Sequence, residues 1–254
     1  MRRPRLPRIP GAGDLGSVVH KGAAWAADYA WIGLAQTAAL RPGDRASTLI
    51  TGRAAPVLLL PGIYETWEVM APLARALHDA GHPVHTVPGL GYNGATLPQS
   101  VTTVEARLRA LDLRDAVLVA HSKGGLIGKS VLAAAWSTGR VAGLVAVNTP
   151  FGGSRLARWF PARAVRALSP VDADIVALGR TVDTHDRIHS IYARFDPHVP
   201  DGSVLVGATN VELPIDGHFK VLASRTLHRA VVEAVATVSA SAQRERERGE
   251  PRES

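Results

Sequence analysis

The sequence predicts an α/β fold, a mostly parallel central sheet flanked by helices. Short continuous apolar runs recur at residues 57–60, 116–119 and 141–147, the mark of strands buried on both faces. Patterns of helical period separate them, over 67–80, 101–111 and 123–137. Pro61-Gly62, Gly81 and Gly139 punctuate the transitions.

In chain order, residues 1 to about 20 read as a disordered leader in which Arg2, Arg3, Arg5 and Arg8 alternate with prolines. Trp25, Tyr29, Ile32 and Gln36 recur at helical spacing, so residues 22–40 read as a helix that Arg41-Pro42-Gly43-Asp44 ends. The first strand, 57–60, stops at Pro61-Gly62, and the helix of 67–80 stops at Gly81. A second strand at 83–87 leads through a Gly- and Pro-rich loop, 88–99, into the helix of 101–111. After the strand of 141–147 the rhythm breaks for some forty residues rich in Arg, Ala, Trp and Phe. It resumes with strands at 190–195 and 203–206 and a last helix over 219–238. Residues 243–254 alternate Arg and Glu, the pattern of a solvated helical fringe or tail.

With 254 residues, 46% of them hydrophobic, the chain can bury one substantial core. It has no cysteine, which excludes disulfides and thiolate zinc sites. Its formal charge is +7, but aromatics make up only 5% and no basic–aromatic stripe appears, so nucleic acid is not an expected partner. Asp28 and Gln36 interrupt the apolar stretch 22–40 and argue against a transmembrane span or signal peptide. Two readings of that stretch remain. Its aromatic face packs on the domain, or the helix rests on a membrane with help from the basic leader, a peripheral contact through residues 1–40. The expected location is cytoplasmic, with membrane association as the alternative.

The chemistry centres on Ala120-His121-Ser122-Lys123-Gly124, where a strand ends, one serine sits on the turn and a helix begins. This is the layout of a nucleophile elbow in its small-x-Ser-x-Gly form. The sharp turn requires small residues two before and two after the serine, and Ala120 and Gly124 supply them. A glycine-rich strand-to-helix turn with an incidental serine is the plainer alternative. A serine needs a base, and the base an orienting group. In elbow folds these follow in the order acid, then histidine. Of the later histidines, His218 in Asp216-Gly217-His218-Phe219 falls in a loop at the carboxyl edge of the sheet, where ligand sites gather. Asp196 ends a strand on the same edge and is the acid candidate, with Asp201 as the alternative. Backbone amides of Lys123 and of Ile63, after Pro61-Gly62, are the candidate oxyanion donors. The Lys123 side chain reads as a surface charge.

Other motifs are decoys. Gly11-x-Gly13-x-x-Gly16 follows no strand, and Gly89-x-Gly91-x-x-Gly94 is followed by Pro98 before any helix. The second reads better as a loop over the site, with Tyr92 near the substrate. Gly128-Lys129-Ser130 lies inside a helix rather than on a phosphate-binding turn. Pro83 and a strand separate His78 and His82 from His85. No cofactor or metal is expected.

Leu-Pro-Gly after a strand, Ala-His-Ser-Lys-Gly-Gly, Asn-Thr-Pro-Phe-Gly-Gly-Ser at 148–154, Ser-Ile-Tyr-Ala-Arg-Phe-Asp and Asp-Gly-His form an ordered series over about residues 55–235. The series resembles the bacterial lipases and esterases of the α/β-hydrolase superfamily, departing from many of them in having Pro61 where they have His. The resemblance implies an α/β-hydrolase fold with a helical lid insertion, a Ser122–Asp196–His218 triad, a covalent acyl-enzyme and hydrolysis of a small-molecule or lipid ester. The implied organisation is a basic leader and accessory helix (1–50), the hydrolase domain (51–240, lid about 154–186) and a charged tail (241–254). Phe151, Leu156, Trp159 and Phe160 make the lid region apolar and suggest an apolar acyl ester. An acyltransferase with the same triad and a non-catalytic binding member of the fold are the rival classes. Nothing in the sequence fixes an oligomeric state.

Overall fold

The computed structural model describes residues 12–38 and 46–249. The basic leader up to Gly11, the break at 41–44 and residues 250–254 lie outside the described residues. Six strands form one parallel sheet: β1 (Val57–Leu60), β2 (Val84–His85), β3 (Ala116–His121), β4 (Val141–Val147), β5 (Ile188–Phe195) and β6 (Thr209–Asp216). Their spatial order is β2-β1-β3-β4-β5-β6. The chain runs outward from β1 to β2, then crosses back to β3 and continues the other way. The carboxyl ends of β1 and β3 therefore flank a topological switch point, where a crevice opens in sheets of this kind.

Among the described residues seven α-helices accompany the sheet: α1 (Ala12–Ala38), α2 (Ala71–Asp79), α3 (Leu97–Ala110), α4 (Lys123–Ala135), α5 (Arg163–Arg166), α6 (Ala173–Gly179) and α7 (Arg225–Arg248). The period-two alternation of each strand divides its side chains between two cores. Leu59, Val119 and Val145 join Ile32 of α1, Leu73 of α2 and Val231 of α7. On the other face, Leu60, Leu118 and Leu144 join Leu108 of α3, Ile127 of α4 and Leu178 of α6. β1 is fully buried throughout, which is why it reads as VLLL rather than as an alternating strand. Burial of each leucine stabilises the fold by about 2 kcal/mol.

The elements differ from the sequence expectation in several places. α1 is already helical at Ala12, well before residue 22, and no proline interrupts the chain from there to Ala38. α3 starts at Leu97, with Pro98 inside its first turn, where the missing N–H costs nothing. Thr96 and Gln99 form a capping box there, so that helix start is already satisfied by its own side chains. Residues 203–206 are not a strand: Asn210 bonds Leu205 N at 2.9 Å and Leu205 O at 2.8 Å and folds this segment into a turn. The sixth strand is Thr209–Asp216, an edge strand with alternating polar residues and Pro214, which only an edge tolerates. The last helix, α7, is capped by Ser224 and runs to Arg248, through the stretch read as a fringe.

Candidate active site

Ser122 stands between β3 and α4 with φ 51° and ψ −122°, a strained conformation for any residue with a side chain. The packing around the turn explains its small neighbours. A Cβ on Gly124 would lie 2.0 Å from the carbonyl oxygen of Leu60, and one on Gly125 would lie 2.0 Å from Thr149 Oγ1. The helix is pressed against the end of β1, and only glycine fits.

His218 follows β6 and Asp196 follows β5. Asp196 Oδ2 lies 2.7 Å from His218 Nδ1, and His218 Nε2 lies 2.9 Å from Ser122 Oγ. A carboxylate only accepts, so Nδ1 carries the proton, and Nε2 is left to accept from the serine hydroxyl. Asp196 is fixed in turn by its Oδ1, which accepts from the amides of His198 (2.8 Å) and Val199 (3.0 Å). Asp201, the alternative acid, is engaged by Arg155 at 3.0 Å. The competing histidines are occupied elsewhere: His185 Nδ1 meets Val206 O and His228 Nε2 meets Leu222 O.

The backbone of His218 is held from both sides by residues that the sequence did not reveal as part of a site. Its carbonyl accepts from His121 Nε2 at 2.9 Å and from Asn148 Nδ2 at 3.2 Å. Its amide donates to the buried carboxylate of Asp28 on α1. His121 Nδ1 lies 2.9 Å from both oxygens of Glu65, and its hydrogen bond runs to Oε2.

Glu65 Oε2 also accepts from the Gly62 amide at 2.9 Å. That contact withdraws Gly62 and leaves the next amide, Ile63, on the turn that borders the cavity. Neither the Ile63 nor the Lys123 amide donates to an acceptor among the described residues. The Lys123 side chain is not a surface charge. It is buried, with Nζ donating to the carbonyls of Asn93 (2.8 Å) and Ala95 (2.6 Å), and burial lowers its pKa to about 8. Asn93 Nδ2 donates to Pro61 O at 2.8 Å, so the Gly-rich loop braces the Pro61-Gly62-Ile63 turn from behind. Tyr92 is exposed and does not line the cavity, whereas Tyr64 does.

The Alpha/beta hydrolase family model matches residues 57–244. The chain belongs to the α/β-hydrolase family. Among solved structures it is similar to one of the metagenome-derived lipolytic enzymes LipS and LipT (18% identity, TM-score 0.56, 74% of this chain and 94% of that one). It is also similar to the mature form of the Bacillus licheniformis lipase BlEst2 (15% identity, TM-score 0.57, 73% and 92%). A third is the putative non-heme bromoperoxidase BpoC of Mycobacterium tuberculosis H37Rv (16% identity, TM-score 0.56, 74% and 94%). At these identities the likeness is one of fold. A comparison with curated proteins gave no match.

In this α/β hydrolase, Ser122 and His218 open onto a largely apolar cavity of about 280 Å³. Trp25, Tyr29 and Ile32 of α1 form one wall, and Leu156, Phe160 and Leu168 of the segment after β4 form another. α1 docks through Ala24, Asp28 and Ile32. Of the face expected to pack inward, Trp25 and Tyr29 remain partly exposed at the rim, their rings each 5.3 Å from that of His198. Among the described residues no helix is long and apolar enough to cross a membrane.

Burial depresses the His218 pKa, but the carboxylates of Asp196, Glu65 and Asp28 outweigh it, and the net direction is upward. For Asp196 burial pushes upward, while the charge and hydrogen bond of His218 and the two loop amides prevail and lower it. Burial and the neighbouring His218 push His198 down to about 4, so it stands neutral beside the pair.

Proposed function

We propose that this α/β hydrolase cleaves carboxylic esters with apolar acyl groups through a Ser122–His218–Asp196 triad and an acyl-enzyme. The observation that carries the reading is the unbroken line from Asp196 through His218 to Ser122 Oγ at the mouth of an apolar cavity. Ser122 Oγ attacks the ester carbonyl carbon as its proton passes to His218 Nε2. Asp196 keeps Nδ1 protonated and offsets the imidazolium charge. The carbonyl oxygen becomes an oxyanion beside the Ile63 and Lys123 amides, the latter at the start of α4, where negative charge is favoured. Collapse of the intermediate breaks the bond to the alkoxy oxygen, which leaves as the alcohol with the proton from Nε2. Water, deprotonated by the same nitrogen, then attacks the acyl-enzyme, and the carboxylic acid leaves as Ser122 recovers its proton.

The lipolytic proteins among the similar structures favour an ester over other acyl compounds. The apolar walls favour an acyl chain, and the cavity volume favours short and medium chains over long ones. Residues 154–186 are the lid in this reading. The test is labelling with a fluorophosphonate, followed by turnover of p-nitrophenyl esters of increasing chain length. Wild-type protein is expected to label and to prefer the shorter esters, and Ser122→Ala and His218→Ala to do neither. A folded wild-type protein that fails to label would overturn the reading.

A further inference from the structure

α1 lies outside the stretch that the family model matches, yet it reaches the centre of the site. Asp28, near the middle of the helix, is fully buried. Oδ1 accepts from the amides of His218 (3.1 Å), Phe219 (2.8 Å) and Lys220 (2.9 Å), and Oδ2 accepts from His218 N at 3.0 Å. A helix that only needed to dock would bury apolar side chains, because a carboxylate is costly to desolvate unless donors surround it. Here three successive N–H groups do. The loop is shaped to receive it: Gly217 takes φ +117°, and a Cβ there would lie 2.9 Å from Asp28 Oδ1. The glycine of Asp-Gly-His is thus accounted for by a residue some 190 positions earlier.

Resting on the hydrolase reading, we propose that Asp28 is a positioning residue for His218, fixing the loop so that the imidazole stands within reach of both Ser122 and Asp196. The carbonyl of His218 is anchored by His121 and Asn148, and Asp28 supplies the opposing anchor on its amide. With both peptide groups pinned, the side chain has one approach to the serine. α1 thereby becomes a component of the site as well as one wall of its cavity.

Asp28→Asn is the decisive variant. An asparagine matches the carboxylate in shape, but one of its two ends presents N–H to the loop amides, which also donate. The expected result is a 10- to 100-fold loss in kcat and in the fluorophosphonate labelling rate, with KM little changed. The acid limb of the kcat/KM profile should also move to lower pH, since Asp28 is one of the carboxylates that raise His218. The other groups facing that ring are Asp196, Glu65, His121 and His198. Ala24→Gly, one turn earlier on the docked face, is the control for loosened packing: it should lower Tm and leave the acid limb in place. Gly217→Ala crowds the same carboxylate from the loop side and is expected to reproduce the joint loss of kcat and labelling, which gives a second reading should Asp28→Asn not fold. An active wild type whose Asp28→Asn variant keeps both its rate and its acid limb would overturn the inference alone. A wild type that neither labels nor hydrolyses esters would overturn the hydrolase reading and this inference with it.

Discussion

At the scale of single residues, the elbow leaves no room for a side chain at Gly124. Replacing Gly124 by alanine improves helix propensity by about 1 kcal/mol. It also places a Cβ 2.0 Å from the Leu60 carbonyl oxygen, a backbone atom of a central strand that cannot step aside. Overpacking of this kind typically costs 1–3 kcal/mol, occasionally more, and here the obstacle is rigid. We expect Gly124→Ala to be destabilised by about 3 kcal/mol, with slower labelling because Leu60 leads directly into the Pro61-Gly62-Ile63 turn. Chemical denaturation and labelling rates check both. The places of Ser122, Asp196 and the Ile63 turn were legible because each follows a strand that the sequence announces, and that of His218 because its Asp-Gly-His turn stands ahead of the last helix. Asp28, Glu65 and His121 were not. Asp28 read only as an obstacle to a membrane span, and helical periodicity says which face a residue occupies but not what lies opposite. Glu65 and His121 stand 56 positions apart, and no local pattern pairs them.

At the scale of elements, strands buried on both faces announced themselves, and β6 did not. An edge strand has one partner and a half-solvated face, so its sequence carries no apolar run. Lys123, read as a surface charge, was misleading for a related reason: lysine is ordinarily a surface residue. Lys129 is fully buried inside the helix, and its Nζ donates to the carbonyl of Leu178 in α6 at 2.9 Å. It is the polar tie between the sheet-packed α4 and the segment read as the lid. Burial lowers its pKa from 10.5 to about 8. A lysine with a lowered folded pKa penalises the fold while it is charged, and the penalty fades as pH rises. Between about pH 8 and 10.5 the unfolded chain binds more protons than the native one, so stability rises with pH there. Lys129→Met keeps the apolar stem but removes the titrating group. The stability of wild type relative to Lys129→Met should therefore increase between pH 8 and 10.5 and stay flat below pH 7. Parallel denaturation curves at several pH values measure it, and a difference independent of pH would refute the buried ammonium.

At the scale of the whole molecule, activity and stability should respond to pH with opposite signs through the same residue. Three carboxylates carried by three separate parts of the fold, Asp196 after β5, Glu65 after β1 and Asp28 on α1, raise His218 above the ordinary histidine value of 6.5 against the pull of its burial. In the proposed reaction Nε2 must be unprotonated, so kcat/KM should rise with pH through a midpoint above 6.5. The folding contribution runs the other way. A group whose folded pKa is raised lends stability that is fully present below its unfolded pKa and is lost as pH climbs through the folded one. Asp196, with its pKa lowered, contributes above the ordinary carboxylate value of 3.8 and loses that contribution as pH falls below it. The Asp196–His218 pair therefore stabilises the fold most between those limits, where Nε2 is protonated and the serine has no base. Across the window above pH 6.5 the activity of wild type should climb while its stability advantage over His218→Gln declines. The stability advantage should fall from about pH 6.5 and level off where the activity curve passes its midpoint, because the loss is complete once the folded imidazole has given up its proton. Rate profiles and denaturation midpoints for the two proteins, taken in the same buffers, test this; a stability difference that levels off well away from the activity midpoint would mean that the acid limb belongs to another group.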